Sequence, residues 1–252
     1  MLIRRLATTL RRFTPRIAKT YLYRLGLFMG PSLTPDLRES LLTLRNRGFQ
    51  PKQAIDVGAY HGAWTSMVGD IFPECHFLMV EAQNNKKPLL EKIVSERPKH
   101  FELEICLLGP KDGEEIPFFE MESGSSVLEE NSSFPRRATT YKTTTLDTLI
   151  AKRNIRHSDI LKLDVQGYEL EVLKGASLLL QHADVVILEC SLVPINKGCP
   201  LLAEVVAFMD SRGFQVYDIV SQIRRPDHVL WQTDLMFVSK ESNLLPEPKY
   251  WH

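Results

Sequence analysis

The sequence predicts an α/β fold: a mostly parallel sheet with helices on both faces. Three observations carry that prediction. Short apolar segments recur along the chain, "AIDV", "HFLMV", "ILKLD" and "VVILEC", with the length and unbroken hydrophobicity of strands buried on both sides. Helical spacing of apolar residues separates them, and alternation of strand and helix is the mark of parallel sheets. A turn holding two glycines, Gly58-Ala-Tyr-His-Gly62, follows the first of these strands, and open parallel sheets bind ligands at the carboxyl ends of their strands.

Residues 1–50 read as a basic, helical N-terminal extension and residues 51–252 as one domain. In the extension, Ile3, Leu6, Leu10, Phe13 and Ile17 fall at spacings of three and four, a stripe that Pro15 breaks or kinks. Its other face is basic. Met1 to Pro35 holds seven Lys and Arg residues and no acid, so with a net charge of +0 the remainder carries about −7. That pattern suits a helix packed on the domain, a helix lying on an anionic membrane surface, or an acid-free transit segment. Arg11 and Arg12 interrupt the apolar core that a secretory signal needs.

The elements then follow in order. Leu37 to Arg47 reads as a helix stopped by Gly48. Gln53–Val57 is a strand and Gly62–Ile71 a helix; His76–Val80 is a strand and Lys86–Glu96 a helix. Phe101–Leu108, Glu114–Glu120 and Thr139–Thr144 are further strands, the last two joined by a polar loop over Ser123–Ser133. Ile160–Asp164 is a strand and Tyr168–Gln181 a helix; Asp184–Glu189 is a strand and Leu201–Arg212 a helix. Gln215–Ile219 and Leu235–Ser239 close the chain as strands.

Composition sets limits. The chain has 252 residues, 44% hydrophobic and 25% charged, which suits a globular protein with a sizeable core. A net charge of +0 supplies no global attraction to nucleic acid. Cys75, Cys106, Cys190 and Cys199 form no CxxC pair, so neither a zinc site nor a disulfide framework is expected. No apolar run is long enough to span a bilayer. A cytoplasmic protein, with membrane association left to the basic N-terminus, is the simplest expectation.

The turn after the first strand narrows the ligand. A pyrophosphate needs closely approaching backbone amides, hence G-x-G-x-x-G. Here Tyr60 and His61 take up the space that a diphosphate would need. This argues against a nicotinamide-dependent oxidoreductase and for a ligand with a nucleoside but no phosphate chain. S-adenosyl-L-methionine meets that description, its methionine carboxylate taking amides near the turn and the helix N-terminus. Glu81 closes the next strand, 25 residues after Asp56, where a carboxylate can accept both ribose hydroxyls. Read blandly, Glu81 is a helix-capping or solvent-facing acid.

The stretch "DILKLDVQGYELEVLKGA", Asp159 to Ala176, is more specific. It resembles the K-x-D-x-E-G-x-E and L-x-G-A motifs of the FkbM-type methyltransferase family, matched by Lys162, Asp164, Gly167, Glu169, Leu173, Gly175 and Ala176. The family's D-V-G-A-x-x-G turn is matched by Asp56, Val57, Gly58, Ala59 and Gly62, and its acid after the second strand by Glu81. "TTTLDTLI" and "VVILEC" resemble two further segments, so the resemblance covers roughly Gln53 to Ser239. It departs at Tyr60, where the family often has asparagine, and at Gln166, where it usually has glutamate.

The resemblance implies a class I methyltransferase fold, a Rossmann-like, seven-stranded, mostly parallel sheet with a terminal antiparallel hairpin. It implies an S-adenosyl-L-methionine-dependent O-methyltransferase acting on a hydroxyl of a sugar, glycan or secondary metabolite. The cofactor-binding residues would be Asp56, Gly58, Ala59, Tyr60, Gly62, Glu81 and Asp164. The catalytic residues would be Asp164 and Glu189, which end adjacent strands. Methyl transfer to an alcohol needs alignment and a base. His61 is a second candidate base, and two carboxylates at neighbouring strand ends allow Mg²⁺ without calling for it. The loop Ser123–Ser133 resembles the family's serine-rich segment and would line the acceptor pocket; Arg224 and Arg225 could meet an anionic acceptor or simply face solvent. A cofactor-binding protein without turnover, held at a membrane surface, is the alternative.

Overall fold

A computed structural model describes residues 36–246. The N-terminal apolar stripe and its basic face lie outside the described residues. Helix α1 (Leu37–Asn46) starts where the Asp36 side chain accepts a hydrogen bond from the Glu39 amide, and it buries Leu41 and Leu44. Strand β1 (Gln53–Val57) leads into α2 (Ala63–Ile71), and β2 (His76–Glu81) into α3 (Lys87–Glu96). Next come β3 (Phe101–Ile105), β4 (Leu107–Leu108), β5 (Glu115–Glu120), β6 (Arg137–Thr144) and α4 (Leu146–Lys152). Strand β7 (Ile160–Leu163) leads to α5 (Glu169–Lys174), and β8 (Val185–Ser191) to α6 (Leu202–Ser211). β9 (Phe214–Ile219), β10 (Ile223–Arg224) and β11 (Leu230–Ser239) complete the described strands.

The main sheet runs β10-β11-β8-β7-β1-β2-β3, with β9 also paired to β11. The strands from β8 to β3 are mutually parallel, and β11 enters antiparallel to β8. This is the expected architecture with eight strands instead of seven. The extra one is the two-residue β10, which shares the outer edge of β11 with β9.

Two expected elements are shorter or split. The expected strand Phe101–Leu108 breaks at Cys106, whose amide bonds the Glu81 carbonyl at 3.0 Å. Past that point β4 leaves the main sheet and joins β6 and β5 in a separate three-stranded sheet. The expected helix Tyr168–Gln181 ends at Lys174. A Cβ on Gly175 would lie 2.3 Å from the Gly109 carbonyl oxygen, and the Gly175 carbonyl accepts from the Asp147 amide at 2.9 Å. Only a glycine allows that approach, so the chain turns there and continues as a short 3₁₀ turn over Leu179–His182.

Side chains alternate across a strand, so each face has its own core. One joins Ile55, Val57, Leu161, Leu163 and Leu188 to helices α4, α5 and α6. The other joins Ala54, Ile160, Ile187 and Met236 to α1 and α2. Carrying these second rows to the strand tips puts Asp56, Lys162, Asp164, Glu189 and Asp234 all on the α1–α2 face. Register confirms the rungs. Asp56 pairs with Lys162, and Asp234 sits directly opposite Glu189 across the β8–β11 ladder. Among the described residues no helix is long and apolar enough to cross a membrane.

Candidate active site

Two cavities meet at the strand tips. One, of about 440 Å³, opens on the side of the serine-rich loop. The other, of about 420 Å³, opens on the α1–α2 side. Gly58, Tyr60, Asp164 and Glu189 line both, so these four residues form the partition between them.

The glycine turn is built tightly. The amides of Gly58 and Ala59 both donate to the Val80 carbonyl, at 2.9 and 3.1 Å, and the Gly62 amide donates to Ala59 at 2.7 Å. Gly58 and Gly62 have φ of +77° and +69°. A Cβ at Gly58 would sit 1.9 Å from the Asp164 carbonyl oxygen, and one at Gly62 would sit 2.5 Å from Ile93 Cδ1. Packing against backbone as well as conformation requires glycine at 58; at 62 the left-handed conformation is the main demand, since the Ile93 methyl can shift. Ala59 is buried against Met79 and Leu90. Tyr60 stands at φ 47°, a left-handed conformation rare for a bulky residue. Its ring stacks on His61 with centroids 3.7 Å apart, and Lys86 Nζ lies 4.3 Å above it. The sequence suggested open amides here. Instead the amides of Gly58, Ala59, Tyr60 and Gly62 are already engaged, so a ligand's carboxylate would meet side chains or the start of α2.

Glu81 is 4% exposed and lines the first cavity. Its Oε2 accepts from the Tyr60 amide at 2.8 Å and its Oε1 from the Gln83 amide at 2.9 Å. Two backbone donors fix the carboxylate plane. A carboxylate offers about four acceptor positions, so two remain for a diol.

Beyond the turn, the charged groups form a connected row. Asp56 is fully buried; Thr65 Oγ1 donates to its Oδ2 at 2.8 Å, and Lys162 Nζ pairs with its Oδ1 at 3.3 Å. Asp56 does not line either cavity. Lys162 also reaches Asp164 Oδ2 at 3.3 Å. Burial alone would lower the Lys162 pKa, but Asp56 and Asp164 raise it above the ordinary lysine value, so it stays charged. Gln166 Nε2 donates to Asp164 Oδ1 and to Glu189 Oε2, both at 2.9 Å. The Glu189 carboxyl is pushed well above the usual carboxylate range by burial first, then by Asp164, Glu169 and Asp234. Asp234 is raised too, by burial and by Asp164.

The turn that carries Gln166 is held from below and above. Glu169, 1% exposed, accepts from the amides of Val165 and Gly167 through Oε1, at 3.0 and 3.1 Å. Burial raises its pKa to about 7 against those hydrogen bonds. From the serine-rich loop, Ser126 Oγ donates to the Gln166 carbonyl at 2.9 Å. Gln166 itself has φ 57°, a second left-handed residue beside the cavity; such outliers gather where surrounding structure holds them for use.

The structure thus brings together Gly58, Tyr60, Glu81, Asp164 and Glu189 and sets Asp56 behind them. His61 lines only the second cavity, where Lys86 Nζ lies 3.5 Å from its Nε2. Among the described residues no group of three or more His, Cys, Asp or Glu side chains is arranged to hold a metal ion. The space between the acids is taken by the Lys162 ammonium and the Gln166 amide, which does not suit Mg²⁺. Sequence reasoning missed Asp234. Its signal was available: an acid in phase with the buried Met236 and Val238 points to the same face of the strand as they do.

A family model for the methyltransferase FkbM domain matches residues 56–216, more than half of the chain. No curated protein matches the chain. Among solved structures it is similar to methyltransferase FkbM from Methylobacillus flagellatus KT, at 17% identity and a TM-score of 0.51. That match covers 78% of this chain but only 47% of that one, so the chain spans about half its length. It is similar also to a candidate O-methyltransferase from Klebsiella pneumoniae, at 11% identity and a TM-score of 0.51, over 92% of this chain and 94% of that one. At these identities the two likenesses are likenesses of fold.

Proposed function

The chain belongs to the FkbM methyltransferase family, and from that premise we propose that it is an S-adenosyl-L-methionine-dependent O-methyltransferase acting on a hydroxyl of a sugar, glycan or secondary metabolite. One observation carries the reading: a single cavity joins the doubly anchored carboxylate of Glu81, at the tip of β2, to Asp164 and Glu189 at the tips of β7 and β8. Its volume of about 440 Å³ lies in the range of small-molecule sites. The residues suit the cofactor. Glu81 has acceptor positions left for two ribose hydroxyls, and Tyr60 and the engaged turn amides leave no cradle for a diphosphate. The Val80, Leu107 and Phe118 side chains supply an apolar wall for a base.

The cofactor supplies an electrophilic methyl group on a sulfonium. This chain's residues align an acceptor oxygen with it and remove the hydroxyl proton. With the cofactor bound, Glu189, at the cavity wall, would be the residue placed to accept the acceptor's hydroxyl proton. Gln166 holds Glu189 Oε2, which leaves Oε1 as the oxygen not engaged by that amide. Burial and the neighbouring acids raise the affinity of Glu189 for a proton. Asp164, tied to Lys162 and Gln166, fixes the orientation of the pair.

Calorimetric titration of the full chain with S-adenosylhomocysteine tests this. Saturable binding that Glu81→Gln weakens at least tenfold is the expected result. No binding, or equal binding by the variant, overturns the site.

A further inference from the structure

The reading above leaves its acceptor broad, and the cavity mouth narrows it. Resting on that reading, we propose that the acceptor is an uncharged amphiphile: its hydroxyl reaches Glu189, and its apolar body lies along Phe134, Ile223 and Trp231 at the mouth.

Sheet order separates the two halves of the cavity. Glu81 ends β2, whereas Ile223 and Trp231 belong to β10 and β11, on the other side of β7 and β8. With the cofactor's sugar at Glu81, the acceptor must lie on the β8–β11 side. That side presents large apolar side chains, with Glu130 and Gln232 as its polar members. Val127 and Ile195 form its wall, and Phe134 and Ile223 form its rim, 66% and 49% exposed. Val229, 46% exposed, lies in the same β10–β11 hairpin, its carbonyl bonded by the Arg225 amide at 2.9 Å. Large apolar side chains this exposed are usually scattered singly; here two line one cavity and a third adjoins it. A small free sugar would leave that rim in water.

The charges of the described lining residues disfavour an anionic acceptor. The charged side chains among the described lining residues are Glu81, Glu130, Asp164 and Glu189, with no lysine or arginine. Three arginines near the mouth are engaged within their own loops: Arg136 donates to the carbonyls of Glu130, Ser132 and Phe134, and the other two serve the β10–β11 hairpin. Arg224 Nη1 donates to the His228 carbonyl at 3.0 Å, and Arg225 pairs with Asp227 at 2.8 Å while lying over the Trp231 ring. Among the described lining residues a phosphate-bearing acceptor would meet like charge and no guanidinium fork.

The test titrates the full chain, saturated with S-adenosylhomocysteine, with methyl β-glucoside, hexyl β-glucoside below its micellar concentration, and glucose 1-phosphate. Hexyl glucoside should bind at least tenfold more tightly than methyl glucoside, since burying two of its five added methylenes gives roughly that factor. Glucose 1-phosphate should bind no better than methyl glucoside. Phe134→Ser combined with Ile223→Ser should erase the hexyl advantage and leave S-adenosylhomocysteine affinity unchanged. The proposal is overturned if hexyl glucoside fails to bind, if the phosphate binds best, or if the advantage survives the double substitution. Failure to bind S-adenosylhomocysteine at all would instead remove the methyltransferase reading, and this inference with it.

Discussion

Gln166 donates its side-chain amide to Glu189, Nε2 to Oε2, at 2.9 Å. The same nitrogen serves Asp164, so one neutral group restrains two acids that repel each other. Hydrogen bonding to the ionised form opposes the burial that raises Glu189. Four charged groups face Glu189: Lys162 from β7, Asp164 just beyond its end, Glu169 from α5 and Asp234 from β11. Replacing Gln166 by glutamate removes the donor and adds an acid. Gln166→Glu should raise the Glu189 titration midpoint further, because a donor is lost and a negative neighbour gained. The protonated-carboxyl infrared band absent from Glu189→Gln reports it. An unchanged midpoint would mean that the bridge does not govern Glu189.

Glu81 answers to two different losses. Glu81→Ala strands the Tyr60 and Gln83 amides and should cost about 1–3 kcal/mol of stability. Glu81→Gln keeps an acceptor for one amide and loses the charge that a ribose would meet. It should weaken S-adenosylhomocysteine binding by roughly 10–100-fold, the worth of hydrogen bonds to a charged group. Comparing denaturation midpoints with calorimetric affinities for both variants separates anchoring from ligand contact.

Gly58 and Gly213 both sit at positive φ, yet only one is crowded. A methyl on Gly58 would meet the Asp164 carbonyl at 1.9 Å, whereas Gly213 has nothing within 4 Å. Gly213→Ala should cost about 1–2 kcal/mol, the left-handed penalty alone. Gly58→Ala adds a clash between two strand backbones and should cost roughly 3–5 kcal/mol or prevent folding. Urea denaturation of the pair checks the ordering; equal losses would mean that the β1 and β7 tips can part.

Glu169 gives stability a pH dependence of definite sign. Its folded pKa of about 7 lies above the ordinary 4.5, so the folded state binds the proton more tightly than the unfolded chain. Its contribution is complete below about pH 4.5 and is lost as pH rises through 7, a loss on the order of 3 kcal/mol. Glu169→Gln keeps an oxygen for the Val165 and Gly167 amides and does not titrate. Stability measured from pH 4.5 to 8 should therefore fall less steeply in Glu169→Gln than in the native chain.

What the sequence determined by itself was order and phase. Short apolar runs mark strands wherever they occur, and the residue that ends a run marks a strand tip; Glu81, Asp164 and Glu189 were legible in that way. The glycines of the first turn were legible because a tight turn excludes other residues. Strand order and register decided the rest, because they join segments far apart in the chain. Asp234 faces Glu189 only through the antiparallel pairing of β11 with β8. Lys162 is buried between two acids only because β7 lies beside β1. The Gln166 bridge needs a left-handed backbone held by Ser126 and Glu169. Alternation along a strand tells a residue which face it takes; it carries no information about which strand lies alongside, and the charge balance at the site depends on that neighbour.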